Sequence, residues 1–214
     1  MTYSLLIGIV LHDKGELITT SAVAAGSFGG TVLMGRGLSS SRFAAALGIE
    51  SSKDVVYILT DDEHKQNIFD AIVKATQNEK QHFGCLFCVD AGYMIKTGTI
   101  SGGEAKMEQN RSHELITVIV NRGYADDAMA AARKAGASGG TAINARGTAR
   151  EDDEKFFGMH IVPEKELLLI VVDQNNKAAV LEAIRTLDCL SEPGSGIAYC
   201  SPVSDFTLLG KKSS

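Results

Sequence analysis

No stretch of the 214 residues stays apolar over the eighteen or so positions that a membrane span needs, so no membrane insertion is expected. Met1-Thr2-Tyr3 runs straight into a short β-like segment with no basic n-region and no cleavage site, and the expected location is the cytoplasm. Cysteine is sparse. Cys85, Cys88, Cys189 and Cys200 are too few and too unevenly placed for a disulfide framework, so free thiols are expected. Positive charge is neither in excess nor clustered: 21 Lys and Arg against 26 Asp and Glu leave a net charge of −5. A duplex-binding protein needs a positive stripe, so a nucleic-acid partner is not expected. No Ser/His/Asp, Cys/His or paired-carboxylate arrangement is marked out by spacing, and nothing argues for an enzyme. His12, His64, His82, His113 and His160 do not group and read as surface or loop residues. Cys85-x-x-Cys88 lies in an expected strand, where residues three apart face opposite sides, so it reads as packing and not as a metal site.

What the chain does have is a repeat. Ala25-Gly26-Ser27-Phe28-Gly29-Gly30-Thr31-Val32-Leu33-Met34-Gly35-Arg36-Gly37 returns as Ala135-Gly136-Ala137-Ser138-Gly139-Gly140-Thr141-Ala142-Ile143-Asn144-Ala145-Arg146-Gly147, with seven of thirteen positions identical at an offset of 110. Upstream, Leu5–Val10 lies on Leu115–Val120. Downstream the offset becomes 112, where Val55–Asp61 meets Leu167–Asp173 and Gly84 meets Gly196. A duplicated unit of about half the chain follows, with the two-residue change in a loop between Gly37 and Val55. A composition 44% apolar and 22% charged supplies two small cores of about 100 residues each.

Apolar runs and punctuation predict a strand at 3–11, a helix at 16–25 stopped by Gly26, a strand at 31–36 and a loop at 37–53 with a helical turn at 42–47. A strand at 54–60, a helix from the acidic Asp61-Asp62-Glu63 to about Asn78 and a strand at 83–89 complete the first copy. Residues 97–112 carry linker chemistry. The second copy reads as strand 114–121, helix 125–135, strand 140–146, loop 147–164, strand 165–172, helix 175–188, strand 196–201 and a short strand near 206–209. The fold class expected is α+β, two tandem ferredoxin-like β-α-β-β-α-β sandwich domains at 1–98 and 113–214 joined by a linker at 99–112. Helices cover one face of each sheet. The strands read apolar on both faces, so the other face should be buried against the second repeat or neighbouring chains.

His113–Gly210 resembles the PII nitrogen-regulatory signal-transduction family. The resemblance rests on the Leu-Ile-Thr-Val-Ile-Val strand, on Ala125-Asp126-Asp127-Ala128 opening a helix, on Ala-Gly-x-x-Gly-Gly-Thr, and on Gly194-Ser195-Gly196-Ile197-Ala198-Tyr199-Cys200-Ser201-Pro202-Val203. The first copy is similar but more diverged, keeping Ala-Gly-x-x-Gly-Gly-Thr and Ile95-Lys96-Thr97-Gly98. The resemblance implies a trimeric, non-catalytic sensor that binds adenine nucleotides and often 2-oxoglutarate between subunits, and engages a protein partner through the long loop after its second strand. Arg146, Gly147 and Arg150 match the start of that loop, and Gly194 and Gly196 match the glycine loop. The family's next lysine is Ile197 here and Cys85 in the first copy, Ala149 replaces a glycine, Glu151 stands for a glutamine, and no tyrosine lies between Gly147 and Pro163.

Read from chemistry alone, Gly194-Ser195-Gly196 can present backbone N–H groups to phosphate or simply turn the chain into a strand. Arg36 and Arg146, at equivalent strand ends beside Gly37 and Gly147, can clamp phosphate or carboxylate or form an ion pair. Glu151-Asp152-Asp153-Glu154 reads as a solvated acidic tip, open to a divalent ion or a basic surface. The expected ligand residues are Arg146, Gly147, Arg150, Gly194, Ser195, Gly196, Arg36, Gly37, Gly84 and Lys96, for a small anionic metabolite or nucleotide. No cofactor is required, an adenine nucleotide is a possible ligand, and a homo-oligomer, with a trimer favoured, is expected. A ligand-free oligomeric interaction protein and a trimeric copper-tolerance-type metal binder are the alternatives.

Overall fold

The computed structural model describes residues 2–38, 51–96, 99–102, 112–147, 155–156, 159–160, 164–190 and 196–211. The chain divides into two compact units. Unit 1 comprises Met1–Met34, Ser51–His113 and Pro202–Ser214, and unit 2 comprises Gly35–Glu50 and Glu114–Ser201.

Unit 1 runs β1 (Tyr3–Leu11), α1 (Gly15–Ala24), the first half of β2 (Thr31–Leu38), β3 (Ser51–Asp61), α2 (Asp62–Thr76) and β4 (Gly84–Ala91), followed by a hairpin of β5 (Tyr93–Lys96) and β6 (Thr99–Gly102). Its sheet order is β2-β3-β1-β4, continued by residues 202–209 of β12 (Gly196–Leu209). β1 is the central strand, antiparallel to both neighbours, with Ile7 opposite Tyr57 on one side and Phe87 on the other. Alternation divides the strands. Leu6, Val10, Val56, Ile58, Leu86 and Cys88 face the helices and pack with Ile18, Ala22, Ile68, Ile72 and Phe83. Full burial of one such aliphatic side chain contributes roughly 1.5–3 kcal/mol. α2 begins where the sequence puts acids: the Asp61 side chain accepts from His64 N at 2.9 Å, and Asp62 and Glu63 sit in the positive first turn.

Unit 2 repeats the order with β7 (His113–Asn121, from Glu114), α3 (Ala125–Lys134), β8 (Gly140–Arg146), β11 (Glu164–Asp173), α4 (Lys177–Arg185) and residues 196–201 of β12. The sheet order is β8-β11-β7-β12, continued at β8 by residues 35–38 of β2, with Gly37 opposite Thr141. Its core joins Ile116, Val118, Val120, Leu168 and Ile170 to Ala125, Ala128, Met129, Ala132, Val180 and Ile184. The small alanines of α3 let the helix lie close to the sheet. Each unit therefore has the ferredoxin-type α+β order that the apolar periods predict. The sheet faces away from the helices are buried as well: Ile7, Val55 and Phe87 in unit 1, and Leu115, Thr117, Ile143 and Leu169 in unit 2.

Several boundaries differ from expectation. Residues 99–102, within the expected linker, pair with β5, as the extended preference of Thr99 and Ile100 allows. β3 starts at Ser51, inside the expected loop, since Lys53 still pairs with Leu11. Within the expected loop 147–164, β9 (Lys155–Phe156) pairs with β10 (Met159–His160). The helix expected at 175–188 is α4 preceded by a tight turn at Gln174–Asn176, where Asp173 accepts from Asn175 N, and followed by another at Asp188–Leu190. The strands expected at 196–201 and 206–209 are one strand, and a register irregularity between Val203 and Asp205 accommodates the interruption after Pro202. The expected helical turn at 42–47 lies outside the described residues. No helix among the described residues is long and apolar enough to cross a membrane.

Candidate anion-binding site

The two arginines that the repeat makes equivalent have different surroundings. Arg36, in unit 2, donates to Glu166 at 2.8 Å and to both Asp126 oxygens at 3.0 and 3.3 Å. Burial works against its charge, but these carboxylates hold the guanidinium well above its ordinary range. Glu166 is almost fully buried. Its other oxygen accepts from Gly123 N at 2.9 Å and Ala125 N at 3.2 Å, so it closes the N-terminus of α3 from a neighbouring strand. Desolvation would raise its pKa, yet Arg36 and these two N–H groups hold it below the usual carboxylate range. In unit 1 the aligned residue, Asp54, plays the same part for α1, accepting from Gly15 N at 2.8 Å and lying 3.1 Å from His12 Nδ1.

Arg146 ends β8, opposite Glu164 at the start of β11, and borders an open pocket of about 400 Å³ with Arg122, Asn144, Ala145, Glu164 and Lys165. Arg122 comes from the turn between β7 and α3. Its N–H donates to the Glu164 carbonyl at 3.0 Å and its guanidinium to the Glu164 carboxylate at 2.5 Å, which raises its pKa. Lys165 Nζ donates to Asn121 Oδ1 at 2.5 Å. Arg146 is exposed and makes no ion pair with any described residue. Three cations thus border this pocket against one carboxylate, at the two strand ends from which the loop 147–163 departs.

The glycines have a steric role. A Cβ on Gly84 would collide with the Ile9 carbonyl, and a Cβ on Gly196 would come within 2.5 Å of both the Ile119 carbonyl and Leu190. Both positions are strand starts where a neighbouring backbone passes too close for a side chain. Gly147 follows Arg146, Gly37 lies within β2, and Lys96 ends β5. Arg150, Gly194, Ser195 and the acidic run 151–154 lie outside the described residues. Where the family pattern calls for lysine, Ile197 is 60% exposed, and burial pushes the Cys85 thiol up to about 11 with Lys53 opposing.

None of the four cysteines forms a disulfide, and Cys85 and Cys88 point to opposite sides of β4, as alternation predicts. Among the described residues no group of three His, Cys, Asp or Glu side chains is placed to hold a metal ion. Sequence reasoning found Arg146 but missed Arg122, Lys165 and the capping pair Asp54 and Glu166. The latter pair do share an aligned position in the repeat, which was the available signal.

Residues 113–211 match the family model described as "Nitrogen regulatory protein P-II", the span on which the resemblance rests. Among solved structures the chain is similar to Arabidopsis thaliana PII bound to citrate, with 16% identity and a TM-score of 0.39, over 50% of this chain and 94% of that one. No curated protein sequence matches the chain.

Proposed function

Starting from the match of residues 113–211 to the P-II family model, we propose that the protein is a tandem P-II-type regulator, a non-catalytic sensor of a small anionic metabolite or nucleotide. The observation that carries the reading is the position of the basic pocket. Arg146 and Glu164 face each other where the loop 147–163 leaves and rejoins the sheet, and Arg122 reaches Glu164 from the neighbouring turn. An anion between Arg146 and Arg122 competes with Glu164 for the Arg122 guanidinium, and so alters the contact that ties one root of the loop to the neighbouring turn. A loop whose order depends on ligand is the means by which such a protein changes a partner's activity. The tandem arrangement follows from the offset repeat, and an oligomer, with a trimer favoured, is proposed from family resemblance alone.

The test is a thermal-shift screen with ATP, ADP, AMP, 2-oxoglutarate and bicarbonate, because a ligand bound only by the folded state raises its melting temperature. The sensor reading expects a shift with at least one of them, lost in Arg146→Ala. A second reading is favoured by Ile197, an exposed apolar residue where the family pattern calls for lysine. It is an oligomeric interaction protein without a small-molecule site, and it expects no shift with any of them.

A further inference from the structure

We infer that each chain carries a single oxyanion site, the pocket of Arg122, Arg146 and Lys165 in unit 2, and that the aligned position in the first repeat is not a second one. The inference rests on the sensor reading and deepens it by naming the ligand group and its number. At the offsets of the repeat, Arg122 aligns with His12, Asn144 with Met34, Arg146 with Arg36, Glu164 with Ser52 and Lys165 with Lys53.

The first repeat thus keeps fewer groups able to meet an anion, and its histidine and arginine already face carboxylates. His12 lies 3.1 Å from Asp54 and 3.4 Å from Asp13, so two carboxylates already face it, where Arg122 is a permanent cation with five donors. Met34 is exposed and has no donor, in place of the Asn144 amide. Arg36 is committed to Glu166 and Asp126. Lys53 is half buried, and desolvation lowers its pKa. Around Arg146 the balance differs: Arg122 is paired with Glu164 and Lys165 with Asn121, but Arg146 has no ion pair with a described residue, and two guanidinium groups and an ammonium border open space of metabolite size with one opposing carboxylate. Guanidinium groups offer paired donors to the oxygens of phosphoryl and carboxylate groups alike, so the chemistry shared by both is what the pocket selects.

The experiment is isothermal titration of the full-length protein with inorganic pyrophosphate, and separately with succinate, at low ionic strength. The expected result is one anion per chain with at least one of the two probes, the stronger naming the phosphoryl or the carboxylate source. Arg146→Ala and Arg122→Ala should each weaken it tenfold or more, while Arg36→Lys leaves number and affinity unchanged. Two anions per chain, unaltered binding in Arg146→Ala, or no heat with either probe overturns the inference. The sensor reading fails independently. If one pyrophosphate binds per chain but amide exchange in residues 147–163 is the same with and without it, the site stands and its coupling to the loop does not.

Discussion

Glu166 is the residue whose replacement tests most of this structure at once. Its carboxylate accepts from Arg36, from Gly123 N and from Ala125 N, so Glu166→Ala leaves two N–H groups at the start of α3 without their acceptor and Arg36 with Asp126 alone. Removing one partner of a buried pair costs about 3–5 kcal/mol, and because Arg36 keeps one carboxylate the lower figure, about 3 kcal/mol, applies. For a chain of this size each kcal/mol moves the melting temperature by about 2–4 °C, so calorimetry should find a fall of about 6–12 °C. Glu166→Gln keeps an acceptor for both N–H groups but loses the charge and turns an amide donor toward Arg36, and should cost about half as much. The folded-state pKa of Glu166 is depressed, so its contribution is present above the ordinary glutamate value of about 4.3 and is lost as pH falls through the folded value. The gap between wild type and Glu166→Gln should therefore be constant from pH 7 down to about 5 and close below about 4. A fall of less than about 2 °C in Glu166→Ala, or a gap undiminished at pH 3.5, would refute the capping argument.

Asp54→Ala removes the same kind of cap from α1 and should lower stability by about 1 kcal/mol, with Asp54→Asn recovering most of it; urea midpoints compare the two. Gly196→Ala forces a methyl group against the Ile119 carbonyl and Leu190 and should cost about 1–3 kcal/mol, read as a lower melting temperature in the absence of any ligand. If that variant melts like the wild type, the glycine is there for some other reason than close approach.

The order of strands and helices was legible because it is local. The apolar runs Leu5–Val10 and Leu115–Val120, the acids at Asp61–Glu63 and the glycine after each first helix each speak for their own segment. The boundaries that failed depend on partners. Ser51–Lys53 looks like loop until Leu11 pairs with Lys53, and residues 99–102 look like linker until β5 lies beside them. The surroundings of the site residues depend on partners in the same way. Arg36 and Arg146 are identical letters in identical frames, and no local rule separates them. What separates them is whether Glu166 and Asp126 stand within reach, 130 and 90 residues away along the chain. Glu166 in turn is buried because α3 begins against it, and Asp54 marks the same event beside α1. A duplication read as equivalence therefore hides how differently two aligned residues are held. The same position first supplies an arginine that ties strand to helix and then, in the second copy, one that faces open space, and only an exposed cation of that kind can bind an anion without first giving up a partner.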